Sequence, residues 1–213
     1  MTASPARPIA GRTIGDYAAT AGSASPTPGG GSVAGVVGAF AAALAQMVAN
    51  VSARHDDDPR FAQQASALQA RVDVFLNGAE ADEAAYARYI AATALPKGTA
   101  EEKAARRQAV QDALREAAYA PLAIARNATD LLDDLTPVIE IGAANILSDA
   151  EVAVILGEAA VCAALVNVRA NLPWLKDAAL VADLTEAIAD TESRARIAAE
   201  LARQTLDTRR EES

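Results

Sequence analysis

Apolar residues recur every three or four positions along most of this chain, which is the period of amphipathic helices. The first clear stripe consists of Phe61, Ala65, Leu68, Val72, Phe75, Leu76 and Ala79. A second consists of Val152, Leu156, Ala159, Ala163, Val166 and Ala170. The pattern predicts an all-α fold, with these stripes turned towards its core.

Breaks in this period, marked by proline, glycine and capping residues, divide the chain into a bundle of about six helices. Predicted helices cover residues 14–21, 33–54, 60–94, 100–132, 149–172 and 174–209, and a further short helix is expected to begin at Pro137. The helix over 100–132 is expected to kink at Pro121. Ser32, Thr99 and Ser148 are expected to cap three of them. Glu102 and Glu151 would complete capping boxes with Thr99 and Ser148.

Composition favours one soluble domain over residues 1–213, with residues 1–12 and 210–213 expected to fray. The chain is 52% hydrophobic but only 4% aromatic, and small side chains favour close helix–helix packing. It has 19 basic and 28 acidic residues, a net charge of −9. This acidity argues against a nucleic-acid partner, because binding to phosphates needs clustered Lys and Arg.

The single cysteine, Cys162, excludes an internal disulfide and a cysteine-based zinc site, and it is expected to be a packed thiol. We therefore expect a cytoplasmic protein, and the N-terminus lacks the pattern of a signal peptide. Residues 29–53 carry no charge and are long enough to span a bilayer. Their Ala and Gly content, with Gln46 and Asn50, favours a buried bundle helix and no membrane partner.

The first candidate site is the segment Pro28-Gly29-Gly30-Gly31-Ser32, where three glycines precede a predicted helix. Backbone N–H groups at the positive end of a helix can bind an anion or the polar edge of a ligand. No Lys-Ser/Thr pair follows the glycines, so this is not a phosphate-binding P-loop. The alternative is a flexible loop that leads into a Ser-capped helix.

The second candidate is Asp82, which continues the apolar stripe three residues after Ala79 and one turn before Tyr86. Burial would raise the pKa of this carboxyl group and suit it to acid–base catalysis. The alternative is an Asp at the edge of the core, paired with an Arg or capping a backbone. Glu80 and Glu83 are expected to be solvated.

Two further positions carry charge in predicted loops. Lys97 lies between two helices and is either a functional cation or an exposed surface lysine. The run from His55 to Asp58 resembles a metal-binding cluster. Consecutive residues at a helix exit point in different directions, however, so no metal site is predicted there.

Polar residues near the last two predicted helices form another group of candidates. Asn145, Ser148 and Asp149 lie around a helix start, where Ser148 and Asp149 also have structural roles as cap and first-turn acid. Asn167 and Asn171 lie one turn apart on the edge of an apolar face. Carboxamides at such an edge need a hydrogen-bond partner, either another helix or a ligand.

Taken together, these segments are similar to the folate cyclodeaminase/cyclohydrolase family. That family includes the cyclodeaminase half of formiminotransferase-cyclodeaminase and free-standing methenyltetrahydrofolate cyclohydrolases. The likeness is carried, in the family's order and spacing, by residues 25–32, 47–50, 81–86, 95–103, 121–122, 148–149 and 167–172. It spans about residues 13–207. One departure is that Ala143 and Ala144 follow Gly142 where the family often has Asn, with Asn145 next.

The resemblance implies an all-α homodimeric enzyme whose substrate is a tetrahydrofolate derivative, with no metal and no permanently bound cofactor. Cyclodeamination of 5-formimidoyltetrahydrofolate is the reaction expected first, and hydrolysis of 5,10-methenyltetrahydrofolate is the alternative. A non-catalytic helical scaffold or folate-binding protein is a second alternative. The formiminotransferase half is absent from this sequence, so a bifunctional enzyme is not expected.

The resemblance also suggests roles for the candidate residues. Asp82 would stabilise the cationic methenyl group and transfer the proton. Lys97 would orient the leaving group or water, or bind the folate carboxylates. The glycine segment and the Asn, Ser and Asp side chains would bind the donor–acceptor edge of the pterin.

Overall fold

The computed structural model describes residues 7–54 and 58–212. These residues contain six α-helices and no strand, which confirms the all-α prediction. The helices are α1 (Ile14–Ala21), α2 (Gly30–Ser52), α3 (Pro59–Thr93), α4 (Ala100–Ile141), α5 (Leu147–Asn171) and α6 (Ala178–Glu211). Short 3-10 turns lie at Ile9–Gly11, Ala144–Ile146 and Leu172–Trp174.

The longest helix, α4, packs against α2, α3, α5 and α6, and α2 lies between α3 and α5. Glycines allow α2 to approach α3 closely. A Cβ on Gly38 would lie 2.5 Å from the Phe75 ring, and one on Gly35 would lie 2.9 Å from the Ala79 Cβ. The Ala- and Gly-rich sequence of α2 is therefore a consequence of its place inside the bundle.

Helices α2 and α5 are antiparallel neighbours. At one end, Gly30 at the start of α2 lies against Asn167 near the end of α5. At the other end, the Ala143 N–H donates a hydrogen bond of 2.8 Å to Ser52 Oγ, just before α5 begins. The start of each helix therefore lies beside the end of the other.

The structure corrects the sequence prediction for α4. This helix continues through Pro121 and Pro137 to Ile141, so the predicted end at Leu132 and the separate helix from Pro137 are wrong. Proline removes one helical hydrogen bond. The apolar stripe continues past it, however, with Leu135 among the fully buried side chains, and this burial maintains the helix.

Of the three predicted helix caps, only the one at α4 is confirmed. The capping box of Thr99 and Glu102 is present. Ser32, however, is the third residue of α2, whose N-cap is Gly29, so the Ser32 cap is wrong. Ser148 does not cap α5 either, because the turn Ala144–Ile146 runs directly into that helix and places Ser148 inside it.

The predicted core stripe of α5 is also wrong. Of its six residues, Leu156 and Ala163 are half-buried and the other four are exposed. The helix is apolar on both sides, so the sequence pattern could not show which side faces the bundle. Cys162 is on the outward side and is exposed rather than packed.

The chain ends differ from the prediction as well. Residues 7–12 were expected to fray, but Ile9 is buried in a 3-10 turn and Arg12 pairs with Glu83 of α3. The last helix begins at Ala178, capped by Asp177, rather than at 174. The cluster His55-Asp56-Asp57 lies outside the described residues.

Two segments of the described chain are long and apolar enough to cross a membrane, judged by length and composition alone. They are Gly30–Ser52 and Ala144–Trp174, and 56% and 44% of their most apolar windows are buried in the bundle. Core helices of soluble proteins meet the same criteria.

Candidate active site

A cavity of about 210 Å³ opens where the start of α2 meets α3, α4 and the end of α5. Its lining consists of Pro26, Thr27, Gly29, Gly30, Gly31, Asp82, Tyr86, Ala117, Asn167 and Asn171. The structure thus brings together the glycine segment, the carboxylate and the two carboxamides that the sequence singled out. A larger hollow of about 300 Å³ lies between α3 and α4 but contains none of these groups.

The glycines are needed because two polar side chains lie directly against the first turn of α2. A Cβ on Gly31 would lie 2.2 Å from Asp82 Oδ1, and one on Gly30 would lie 2.9 Å from Asn167 Nδ2. Real Cβ atoms do not approach other atoms this closely. The missing side chains therefore make room for the carboxylate and the carboxamide at the positive end of α2.

Asp82 is half-buried and accepts a hydrogen bond from the Ser32 backbone N–H. Gly29 provides no side-chain cap, so Asp82 caps α2 from the neighbouring helix. Burial raises the pKa of Asp82 above its usual value of 3.8, and the negative charge of Glu83 raises it further. The Ser32 N–H lowers this pKa but does not cancel the rise.

A carboxyl group with a raised pKa is suited to proton transfer at the pH where enzymes work. The structural role that the sequence left as an alternative, a backbone cap, is also present. The two roles are compatible, because the same cap fixes the carboxylate at the cavity wall.

Behind Asp82, a chain of hydrogen bonds joins α1, α2 and α3. Tyr17 Oη and Ser32 Oγ are 2.8 Å apart, and Ser32 Oγ donates to Glu83 Oε1 at 3.2 Å. Arg12 binds both oxygens of Glu83, at 3.1 and 3.0 Å. Burial raises the pKa of Tyr17, and the charge of Glu83 adds to the rise, so its phenol stays protonated. The side chain of Ser32 is thus buried in this network rather than directed into the cavity.

The prediction that Glu80 and Glu83 are solvated is wrong. Glu83 binds Arg12 and Ser32, and Glu80 accepts a hydrogen bond of 2.7 Å from the Ile9 backbone N–H. Both contacts arise because the N-terminal segment folds back over α3. The α3 sequence alone carries no signal of that segment.

The two asparagines are held by backbone carbonyl groups. Asn171 Nδ2 donates to the carbonyl oxygens of Ala117 and Asn167, at 3.0 and 2.9 Å. Asn167 Nδ2 donates to the carbonyl oxygen of Ala163 at 2.8 Å. With their nitrogens bound, the side-chain oxygens are the acceptors that these residues present to a ligand.

Lys97 does not join this cavity within one chain. It is exposed in the loop between α3 and α4. Thr93, the last residue of α3 before this loop, is already about 16 Å from Asp82 along the helix axis, so Lys97 lies far from the cavity.

Asn145, Ser148 and Asp149 are also remote from Asp82 in the single chain. They surround the start of α5, whereas Asn167 is near its end, about 28 Å away along the helix. Pro28 is buried and does not line the cavity.

Sequence reasoning missed several residues of the site. Tyr86 lines the cavity one turn after Asp82, and the position was visible in the α3 stripe. Arg12, Tyr17 and Glu83 surround Asp82 only because α1 and the preceding turn pack on α3. No local pattern in the sequence could have linked them.

The fold is a helical bundle, and its cavity places a carboxyl group of raised pKa against a glycine-rich helix start. This is the fold and site expected for a folate cyclodeaminase/cyclohydrolase. Comparison with known proteins confirms this class. Residues 13–190 match the family model described as formiminotransferase-cyclodeaminase, so the chain belongs to that family.

Individual relatives carry both enzyme names. The chain is 37% identical over 161 residues to a methenyltetrahydrofolate cyclohydrolase of Methylorubrum extorquens. The aligned region covers 74% of this chain and 77% of that protein. It is 36% identical over 167 residues to the formimidoyltransferase-cyclodeaminase of Rattus norvegicus. That match covers 73% of this chain, which spans only 30% of the length of the rat protein.

A solved structure shares the whole fold. It is the crystal structure of a formiminotetrahydrofolate cyclodeaminase from Thermotoga maritima, with a TM-score of 0.82 and 27% sequence identity. The superposition covers 94% of this chain and 98% of the other.

Proposed function

We propose that this protein is a 5-formimidoyltetrahydrofolate cyclodeaminase, which forms 5,10-methenyltetrahydrofolate and releases ammonia. The observation that carries the proposal is Asp82, a half-buried carboxyl group of raised pKa at the wall of the cavity. The reaction needs one group beside the one-carbon unit that both transfers a proton and stabilises a cation. Asp82 combines these two properties.

In the first step, the formimidoyl group is protonated on its exocyclic nitrogen, and N10 of the folate attacks its carbon. The second carbon–nitrogen bond of the new ring forms, and the exocyclic nitrogen becomes an amino group. N10 then loses its proton, and Asp82 is the base that accepts it. In the second step, the protonated carboxyl group returns this proton to the exocyclic nitrogen. The bond from carbon to that nitrogen breaks, and ammonia leaves.

The product carries a positive charge spread over N5, the bridging carbon and N10. Once it has lost the proton, Asp82 is again negatively charged, and its carboxylate stabilises this cation. The side-chain oxygens of Asn167 and Asn171 would accept hydrogen bonds from the pterin. Tyr86 offers an aromatic surface beside it.

Hydrolysis of 5,10-methenyltetrahydrofolate is the second candidate function. It is favoured by the 37% identity to a free-standing cyclohydrolase of which this chain covers 77%. Here Asp82 would take a proton from the attacking water and pass it to N5 as the N5–carbon bond breaks. The hydroxyl group of the intermediate would lose its proton to solvent, which gives 10-formyltetrahydrofolate. Lys97 is proposed to contact the folate carboxylates or the reacting groups in either reaction.

The test is absorbance in the methenyl band, with purified protein and each substrate in turn. Growth of the band from 5-formimidoyltetrahydrofolate supports cyclodeaminase activity. Loss of the band from 5,10-methenyltetrahydrofolate faster than in buffer supports cyclohydrolase activity instead. If neither changes, a folate-dependent rise in melting temperature would identify a non-catalytic folate-binding protein.

A further inference from the structure

Two consecutive carboxylates of α3 bind the same serine at the start of α2. Asp82 accepts a hydrogen bond from the Ser32 backbone N–H, and Glu83 accepts one of 3.2 Å from Ser32 Oγ. Ser32 is fully buried in the first turn of α2, so neither of its two donors can move without the helix. The position of the N–H that binds Asp82 therefore depends on the contacts of Glu83 as well.

Glu83 is held in turn by Arg12, whose guanidinium donates to both carboxylate oxygens. These hydrogen bonds raise the pKa of Arg12, which therefore stays charged. The two side chains are only 17% and 16% exposed. In the pair of Arg203 and Glu158, which also has two hydrogen bonds, the side chains are 41% and 30% exposed. Because charges far from water are costly to bury, the inner pair adds little to stability, and a role in the neighbouring site explains it better.

The charge of Glu83 acts on Asp82 together with its hydrogen bond to Ser32. Burial is the main cause of the raised pKa of Asp82, and the negative charge of Glu83 raises this pKa further. Arg12 places a positive charge on Glu83 and so offsets part of the repulsion between the two carboxylates. Without Arg12 the carboxyl group of Asp82 would be harder to ionise, and without Glu83 it would ionise more readily.

The other elements around the cavity present uncharged groups to Asp82. In the part of the chain that the structure describes, these groups are Pro26 and Thr27 before α2, the glycines of α2, Ala117 of α4, and Asn167 and Asn171 of α5. The remaining ionisable groups in the surrounding elements are neutral phenols or are bound elsewhere: Tyr17, Tyr86, Glu80 on the Ile9 N–H, and Glu116 on Arg88. Glu83 and its partner Arg12 are therefore the charges whose removal should change the ionisation of Asp82.

We propose that Arg12 and Glu83 are positioning residues for the Asp82 carboxyl group. Glu83 holds the Ser32 donor in place and contributes a negative charge, and Arg12 neutralises that charge. Arg12 does not line the cavity, so it acts on Asp82 through Glu83. The alternative is a pair that only anchors the N-terminal segment on α3. The consequence for turnover rests on the proposed function, but the effect on the carboxyl group of Asp82 does not.

The first experiment follows the ionisation of Asp82 by NMR, in protein isotopically labelled at the aspartate carboxyl carbons and without folate. The Asp82 signal is identified by its loss in Asp82→Asn. Arg12→Gln should fold, because the buried Ile9 also anchors the N-terminal segment. We expect the titration midpoint of Asp82 to rise by about 0.5–1 pH unit in Arg12→Gln and to fall by a similar amount in Glu83→Gln. A midpoint in Arg12→Gln equal to that of the wild type, or shifts of both variants in the same direction, overturns the proposal.

Two further variants complete this experiment. Arg203→Gln breaks a two-bond ion pair between α5 and α6 and should leave the midpoint of Asp82 unchanged. Arg12→Gln/Glu83→Gln should have the midpoint of Glu83→Gln alone, because Arg12 acts through Glu83. A further shift in the double variant overturns that route. The double variant leaves neither charge without its partner, so it replaces any single variant that fails to fold. A midpoint in the double variant that is not below that of the wild type overturns the proposal.

Turnover of the same variants separates failure of this inference from failure of the proposed function. If Asp82 is the base, turnover falls as pH drops through the midpoint of Asp82. This limb of the pH profile should therefore move to higher pH in Arg12→Gln and to lower pH in Glu83→Gln. A limb that stays fixed while the NMR midpoint moves contradicts the role of Asp82 as the base, and so the proposed function, but supports the positioning pair. NMR midpoints that do not move overturn the pair even in an active enzyme.

Discussion

At the scale of single residues, the site depends on two glycines, because a side chain at either position would occupy space that the site needs. Gly30 and Gly31 have no Cβ where Asn167 and Asp82 lie closest to α2. The sequence predicted the importance of this segment from three glycines before a helix. It could not show that the function of the glycines is to admit a carboxylate from another helix, because that contact joins residues fifty positions apart.

Replacing Gly31 by Ala should disrupt the site. The new Cβ would lie 2.2 Å from Asp82 Oδ1, so the carboxylate or the start of α2 must move. We expect at least a tenfold loss of turnover and a loss of about 1–3 kcal/mol in the free energy of unfolding. Gly15→Ala in α1, where the nearest atom to the new Cβ is 3.9 Å away, is the control and should retain activity. Equal turnover in the two variants would contradict the packing of Asp82 on Gly31.

The raised pKa of Asp82 predicts a pH-dependent difference in stability. A carboxyl group whose pKa is higher in the folded than in the unfolded protein destabilises the fold as pH rises above the unfolded value of 3.8. Asp82→Asn removes this ionisation but keeps an oxygen that can accept from the Ser32 N–H. At neutral pH the variant should melt at the same or a higher temperature than the wild type, with the difference shrinking towards pH 3.8. A wild type that is more stable at neutral pH would show that the charge of Asp82 mainly stabilises the helix cap.

At the scale of helices, the sequence predicted α1 and α3 to within a residue. The prediction failed in α4 because the rule that proline ends a helix is local, whereas the buried stripe around Pro137 acts through tertiary packing. It failed in α5 because that helix is apolar on two sides.

Pro137 is exposed inside α4, so its replacement by Ala tests whether packing alone maintains the helix there. Ala restores the backbone N–H donor that Pro lacks, and it has a much higher helix propensity. We therefore expect a gain of about 1–3 kcal/mol in the free energy of unfolding. Glu140→Ala, also exposed in α4, should change stability by less than about 0.5 kcal/mol. Denaturant unfolding of both variants measures the difference. A loss of stability in Pro137→Ala would mean that the proline ring makes a stabilising contact.

At the scale of the whole molecule, the site residues that the sequence predicted lie at opposite ends of α5, with Ser148 at its start and Asn167 near its end. The homodimer that the family resemblance implies stays a prediction, and the sequence predicted the site residues without their division between two ends. That division depends on the antiparallel packing of α2 and α5, which no local pattern encodes.

The homodimer that the family resemblance implies predicts a melting temperature that depends on protein concentration. Dissociation accompanies unfolding, so more concentrated wild-type protein should melt at a higher temperature. If the exposed apolar side of α5 forms the interface, Val152→Arg, which puts a charge there, should show no such dependence and should melt at a lower temperature. Scanning calorimetry over a wide range of concentration measures both. A melting temperature of the wild type that does not change with concentration would contradict dimerisation coupled to folding.

The turnover of Asp82→Asn in the methenyl-band assay tests most directly whether Asp82 carries the chemistry. Asp73→Asn, at an exposed position of the same helix, is the matched control. We expect that Asp82→Asn folds and loses turnover by about 10²–10⁴-fold, the usual contribution of a general acid–base group, while Asp73→Asn retains wild-type turnover. Near-normal turnover of a folded Asp82→Asn protein would contradict a catalytic role and leave Asp82 only the role of a helix cap.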